Sequence, residues 1–276
     1  MPLTRMRNLE QEAETFATPC GDGSMIWRRW GSGEPVVLLH GGSGSWNHWI
    51  ANIPVLKQRY EVWAIDIPGL GDSAMPSPPI NPQSCADAVA LGFKHLFSPQ
   101  RKARMVGFSF GCHVGTLAAA DINDHLHSLT IIGCAALGNG RHDTAPFPKE
   151  RTTMTAEERR EVHRGVLEIL MISKPERIGD EAIELQAINV GKARFRSRQF
   201  ADSEDIKNGL ANVTVPLRTI WGRNDIVAYP DVDAAIRILA LHHPEIVHRI
   251  VDDAGHWVMY EQADAFNAAL LEMLEV

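Results

Sequence analysis

The sequence predicts a mostly parallel α/β sheet covered by helices on both faces, with a helical insertion in its second half. Three observations carry this. Short continuous apolar runs, at residues 35–39 and 129–134, suit strands buried on both faces. Segments with helical spacing alternate with these runs, and that alternation implies parallel strands joined by crossover helices. Between about Leu137 and Gly209 the strand signal stops and charged helical segments replace it.

Taken in order, residues 25–30 read as an early strand closed by the turn Gly31-Ser32-Gly33. The run 35–39 is the first buried strand, and it feeds the loop His40-Gly41-Gly42-Ser43-Gly44-Ser45-Trp46. Glycines free backbone N–H groups there to face a ligand. The Gly-Lys-Ser/Thr ending of a phosphate loop is missing. Residues 60–65 form the next strand and run into Asp66-Ile67-Pro68-Gly69-Leu70-Gly71-Asp72-Ser73, a turn-rich loop. Irregular chain at 77–82 leads to a helix over 84–97. The strand at 104–106 enters Gly107-Phe108-Ser109-Phe110-Gly111, and the small residues of 111–120 form a helix that can lie close to the sheet.

Past the strand at 129–134, Thr155 and Glu158 make a capping box ahead of the apolar stripe Val162, Val166, Ile169 and Leu170. A second helix covers 180–189. The basic run Lys192, Arg194, Arg196 and Arg198 follows, read either as a solvated face or as a surface for an anionic substrate. Strand signal returns at 217–221, before the turn Gly222-Arg223-Asn224-Asp225. Residues 231–241 are helical, with Asp231 as a cap. The strand at 245–251 enters Asp252-Asp253-Ala254-Gly255-His256-Trp257, and 259–274 is an amphipathic helix. The organisation is therefore a core in two parts, 1–136 and 211–276, with a helical cap at 137–210.

Composition narrows the function classes. A net charge of -7 gives no general attraction to nucleic acid or to an anionic membrane. No apolar run approaches the ~20 residues of a membrane span. Residues 1–11 are polar, without the apolar segment of a secretory signal. The four cysteines, Cys20, Cys85, Cys112 and Cys134, lack CxxC spacing and read as separate reduced thiols. A cytoplasmic location is the default expectation. No histidine pair has the carboxylate or cysteine partners of a metal site, so no metal is expected.

The chemistry comes from four loops at strand carboxyl ends, where a parallel sheet gathers its functional groups. Gly107-x-Ser109-x-Gly111 has the pattern of a nucleophile on a sharp strand-to-helix turn. Serine needs a base, and His256 ends a strand in the last quarter of the chain. Asp225 is placed to orient the imidazole and balance its charge. An oxyanion formed on the attacked carbonyl needs N–H donors. Phe110, after the nucleophile, is one candidate, and Gly42 is the other, with Ser43 second to it. Ser43, Trp46, Phe108 and Trp257 are expected to line an apolar substrate pocket. His40 reads as a loop organiser rather than as the base.

These segments together resemble the α/β-hydrolase family: His40-Gly41-Gly42, the Asp66 to Ser73 loop, Gly107-x-Ser109-x-Gly111, Gly222-Arg223-Asn224-Asp225 and Gly255-His256, in that order. The resemblance implies an eight-stranded sheet with a cap after the sixth strand. It also implies a mechanism without cofactor, in which an acyl-enzyme on Ser109 is released by water. Gly255-His256-Trp257 with Glu261 is similar to the hydrolases that cleave carbon–carbon bonds in ring-fission products. Those enzymes carry a polar residue before the serine and an arginine in the cap. This chain has Phe108 at the first position, and Leu185 falls near the second. The expected function is hydrolysis of a small carboxylic ester or related acyl compound. Carbon–carbon hydrolysis of a vinylogous diketone is the alternative, and a non-catalytic ligand-binding protein of the same fold is a third. The partner is a small acyl or ester molecule, not nucleic acid or membrane, and a homodimer is compatible with it.

Overall fold

A computed structural model describes residues 2–275. Its strands are β1 (Glu14–Cys20), β2 (Gly23–Trp30), β3 (Glu34–Leu39), β4 (Tyr60–Ile65), β5 (Ala103–Phe108), β6 (Leu126–Ile132), β7 (Leu217–Gly222) and β8 (Val247–Val251). The helices are α1 (Thr4–Glu12), α2 (Ile53–Leu56), α3 (Pro82–Leu96), α4 (Phe110–Ile122), α5 (Ala156–Val166), α6 (Asp180–Lys192), α7 (Asp205–Gly209), α8 (Val232–His242), α9 (Val258–Glu261) and α10 (Ala263–Glu275). All eight strands join one sheet in the order β1-β2-β4-β3-β5-β6-β7-β8. The pairs β1/β2 and β2/β4 are antiparallel, and every later pair is parallel.

The continuous apolar runs are explained by burial on both faces. In β3, Val37 and Leu39 pack with Val89 and Phe93 of α3 and Val114 of α4 on one side. Val36 and Leu38 pack with Ile53 and Leu56 of α2 and with Phe266 and Leu270 of α10 on the other. Successive side chains thus point to opposite cores, so alternation disappears from the sequence. Helix starts follow their caps. Asn81 and Ser84 form a capping box at α3, Thr155 and Glu158 form one at α5, and the Asp231 side chain accepts the Ala234 N–H at α8.

β1 and α1 carry no sequence signal. β1 is a half-exposed edge strand containing Pro19, so neither a buried run nor clean alternation marks it. α1 buries only Leu9, whose carbonyl accepts the Trp30 indole N–H at 2.7 Å. Several boundaries also shift, and β6 begins three residues early, at Leu126. α6 continues to Lys192, β8 begins at Val247, and the C-terminal helical stretch is broken at Gln262 into α9 and α10. Among the described residues no helix is long and apolar enough to cross a membrane. All four cysteines are buried and unpaired.

Between β6 and β7 the described chain holds α5, a π-helical turn at Leu167–Met171, α6 and α7, with no strand. Polar links seat it on the core, two of them beside the site loops. Asn189 of α6 accepts from Ser45 Oγ and donates to Asn47 Oδ1, both at 2.8 Å. The Glu261 carboxylate accepts from Ser173 N–H at 3.0 Å and Lys174 N–H at 2.9 Å. It also accepts from Gly255 N–H at 2.6 Å, which fixes the loop just before His256.

Candidate active site

Ser109 follows the last residue of β5 and precedes the first of α4, with φ 51° and ψ −115°. Such a conformation costs a side-chain-bearing residue ~1–3 kcal/mol and persists only where the surroundings enforce it. Here they do. A Cβ on Gly107 would lie 2.6 Å from the Gly111 carbonyl oxygen, and one on Gly111 would lie 2.4 Å from that of Leu39. Neither contact is tolerable, so the turn can be this tight only with glycine at both places.

The turn delivers the Ser109 hydroxyl to His256, whose Nε2 is 2.9 Å from Oγ. On the other side of the ring, Nδ1 lies 2.9 and 3.0 Å from the two Asp225 carboxylate oxygens. A carboxylate only accepts, so Nδ1 carries the proton and Nε2 is left to accept from the serine. His256 and Asp225 are 2% and 5% exposed, which strengthens both bonds by excluding water. Asp225 Oδ1 also accepts the Val227 N–H at 2.8 Å. The three groups expected from the sequence therefore stand in one hydrogen-bonded line.

That line opens on a cavity of about 520 Å³. Ser43 and Phe108, two of the four residues expected to line a pocket, face it, and so do the oxyanion candidates Gly42 and Phe110. Phe110 begins α4, where a backbone N–H has no partner within the helix. Trp46 and Trp257 correct the expectation, because neither lines the cavity. Trp46 turns into the core, against the Trp30 ring at 5.5 Å and under the Arg28 guanidinium at 5.5 Å. Trp257 stacks on Tyr260 at 4.3 Å, and its indole N–H donates to the His48 carbonyl at 3.0 Å. Each tryptophan flanks a site loop, yet its apolar body finds more contact beneath the loop than above it.

His40 is held at both nitrogens. Nδ1 donates to the Gly41 carbonyl at 2.7 Å and Nε2 accepts the Ile67 N–H at 2.9 Å. Burial pushes its pKa down. It thus organises the loop as a neutral ring and is not the base. Asp66 is likewise structural. Its buried carboxylate accepts from Arg28 at 2.8 Å, the Trp46 N–H at 2.8 Å and the Asp72 N–H at 3.0 Å.

The basic run divides. Lys192 pairs with Asp72 at 2.6 Å and Arg194 donates to the Gly71 carbonyl at 3.3 Å, so both clamp the Asp66 to Ser73 loop. Arg198 alone of these three lines the cavity. Leu185 lies fully buried in the core, and α6 turns Gln186 and Val190 to the cavity instead.

His48 is a cavity residue that sequence reasoning missed. It is 2% exposed, and its Nδ1 accepts the Gly41 N–H at 3.3 Å, which leaves the proton on Nε2. Burial first, then the cost of placing a charge beside the ionisable rings of His40 and His256, hold its pKa well below the usual histidine range. The ring is therefore a neutral donor beside the elbow, 5.7 Å from the Phe108 ring. His113 also lines the cavity and bonds Asp205 of α7 at 2.7 Å. Burial lowers its pKa despite that carboxylate.

The family model described as the alpha/beta hydrolase family matches residues 36–269, and the chain belongs to that family. It is 27% identical to a hydrolase of Escherichia coli named 2-hydroxy-6-oxononadienedioate/2-hydroxy-6-oxononatrienedioate hydrolase, over 98% of this chain and 95% of the relative. A Pseudomonas protein of the same name is also 27% identical, over 92% of both chains. In structure it is similar to a meta-cleavage product hydrolase of Pseudomonas fluorescens, with a TM-score of 0.74 at 22% identity, over 96% of this chain and 98% of that one.

Proposed function

We propose that the protein is a serine hydrolase of small carboxylic esters or related acyl compounds, working through an acyl-enzyme on Ser109. The observation that carries this is the unbroken line from Ser109 Oγ through His256 to Asp225, opening on a 520 Å³ cavity. A cavity of this size suits a small organic molecule. His256 Nε2 takes the Ser109 proton as Oγ attacks the substrate carbonyl. The backbone N–H groups of Gly42 and Phe110 bind the oxyanion, each worth roughly 3 kcal/mol. The imidazolium, balanced by Asp225, then protonates the leaving oxygen. Water enters, gives its proton to His256 and releases the acid, which restores the serine.

Carbon–carbon hydrolysis of a vinylogous diketone is the second reading, and the names of the relatives favour it. The leaving group would then be a carbon that must gain a proton. His48 and Gln186 are uncharged donors on the same cavity. Against it stands the surface around Ser109, where Phe108 precedes the serine and α6 supplies no arginine to the cavity.

One experiment separates them. Purified protein is given p-nitrophenyl acetate through valerate, and in parallel a yellow dienolate ring-fission product. Ester turnover at least tenfold above that of the dienolate in kcat/KM supports the first reading. Bleaching of the dienolate with little esterase activity supports the second.

A further inference from the structure

The charged groups on the cavity, apart from His256, lie in the insertion, and they do not balance: the cations Arg141, Lys149 and Arg198 stand against the carboxylates Glu150 and Asp202. Arg141 pairs with Asp202 at 3.1 Å, and Glu150 bonds His163 at 2.6 Å. Arg198 has no carboxylate within 4.0 Å among the described residues. Its guanidinium carbon instead sits 3.6 Å above the centre of the Phe147 ring. Partial burial and the repulsion of Arg141 lower its pKa, with Asp202 offsetting only part of this, and arginine stays charged throughout the working pH range. Two guanidinium groups thus share one carboxylate, and the one left over lies flat on an aromatic face.

The position of this charge gives it a target. Arg198 belongs to the short turn Ser197–Phe200. The preceding residue roofs the glycine-rich loop, since a Cβ on Gly42 would lie 2.1 Å from Ser197 Oγ. The same turn therefore covers the loop assigned to the oxyanion and holds a fork of N–H donors at the cavity wall. The neighbourhood of Ser109 itself is Phe108, Phe110 and backbone, without a cation. A planar guanidinium stacked on a ring keeps its edge for bidentate pairing with a carboxylate.

We propose that Arg198 selects substrates that carry a carboxylate several bonds from the carbonyl attacked by Ser109, a proposal that rests on the reading of Ser109 as nucleophile. The substrate then lies with its reacting carbonyl on the uncharged floor and its anionic end against the turn at Ser197–Phe200. Lys192 and Arg194, turned to the Asp66 to Ser73 loop, take no part.

The test pairs neutral esters with anionic isosteres. These are p-nitrophenyl valerate against mono-p-nitrophenyl glutarate, and phenyl acetate against 4-acetoxybenzoate. The wild type should favour at least one anionic member by tenfold or more in kcat/KM. Arg198→Gln should lose that preference, a drop of about 10- to 100-fold, while neutral-ester turnover stays within twofold. Arg198→Lys should restore part of it, and Lys192→Ala should change nothing. Equal loss on neutral and anionic esters, or no wild-type preference in either pair, overturns the proposal. If no ester is turned over, the reading of Ser109 fails separately. Calorimetric titration of Ser109→Ala with glutarate then decides the anion site. Binding weakened tenfold or more by Arg198→Gln supports the site, and unchanged or absent binding overturns it.

Discussion

At the floor of the cavity the polar groups that meet Ser109 are anchored at strand ends, His256 at 2% and Asp225 at 5% exposure. At its rim, Arg141 and Asp202 sit on the insertion with side chains 65% and 52% exposed. The floor is held by backbone geometry that tolerates no added atom. The rim is held by solvated ion pairs and by one cation–aromatic contact. Exposed pairs are worth little, often under about 1 kcal/mol. The difference teaches where each property resides: chemistry in the part that cannot move without unfolding, and selectivity in the part that can change cheaply.

Asp225→Asn is the hardest blow to the floor. An amide would leave His256 in the wrong tautomer, and kcat for a p-nitrophenyl ester should fall about 10⁴-fold, with the fold intact by circular dichroism. A loss under tenfold would mean that the floor does not act as a unit. Gly111→Ala comes next. The added Cβ meets the Leu39 carbonyl oxygen at 2.4 Å, so urea unfolding should show a loss of ~1–3 kcal/mol or more. An unchanged midpoint would show that the elbow can relax.

Acid should weaken the floor as well. Burial lowers the pKa of His40 and drives that of His48 well below the ordinary 6.5. Above about 6.5 both rings are neutral in the folded and unfolded chain, and they add no pH dependence. As pH falls below that value the unfolded chain takes up protons that the folded chain resists, so stability falls toward acid. The slope from His48, whose pKa lies furthest down, approaches about 1.4 kcal/mol per pH unit. Denaturant titrations from pH 7 to pH 5 should show it, and His48→Gln should flatten it. A slope unaltered by that change would contradict the neutral buried ring.

The smallest effect belongs to the rim. A Cβ added at Gly191, near the end of α6, would have nothing within 4 Å, and the residue has no positive φ. Gly191→Ala should therefore stabilise, by about 0.5 kcal/mol. Destabilisation there would erase the contrast with Gly111.

The same contrast explains what could be read from the sequence. β3 and β6 announce themselves because burial on both faces forces nearly continuous apolar runs. Ser109, Asp225 and His256 are legible because each stands just beyond a strand, in a turn whose residue types serve that position. β1 and α1 are illegible because each buries little and follows no clean period. The aromatic residues mislead for a related reason. Trp46 and Trp257 flank site loops, and nothing in their identity tells which side of the loop the ring will take. His48 is one histidine among twelve, and only tertiary packing brings it to the cavity. Arg198 is visible as charge, but its separation from Lys192 and Arg194 requires the fold.

The central claim is that Ser109 is the nucleophile, and trapping its acyl-enzyme tests it most directly. The protein is mixed with excess p-nitrophenyl ester, quenched in acid within the first turnover and analysed by intact and peptide mass spectrometry. A nucleophilic Ser109 predicts one acyl group per chain, on the peptide bearing that serine, and none in Ser109→Ala. An acyl group on another residue, or rapid turnover by Ser109→Ala, would contradict it.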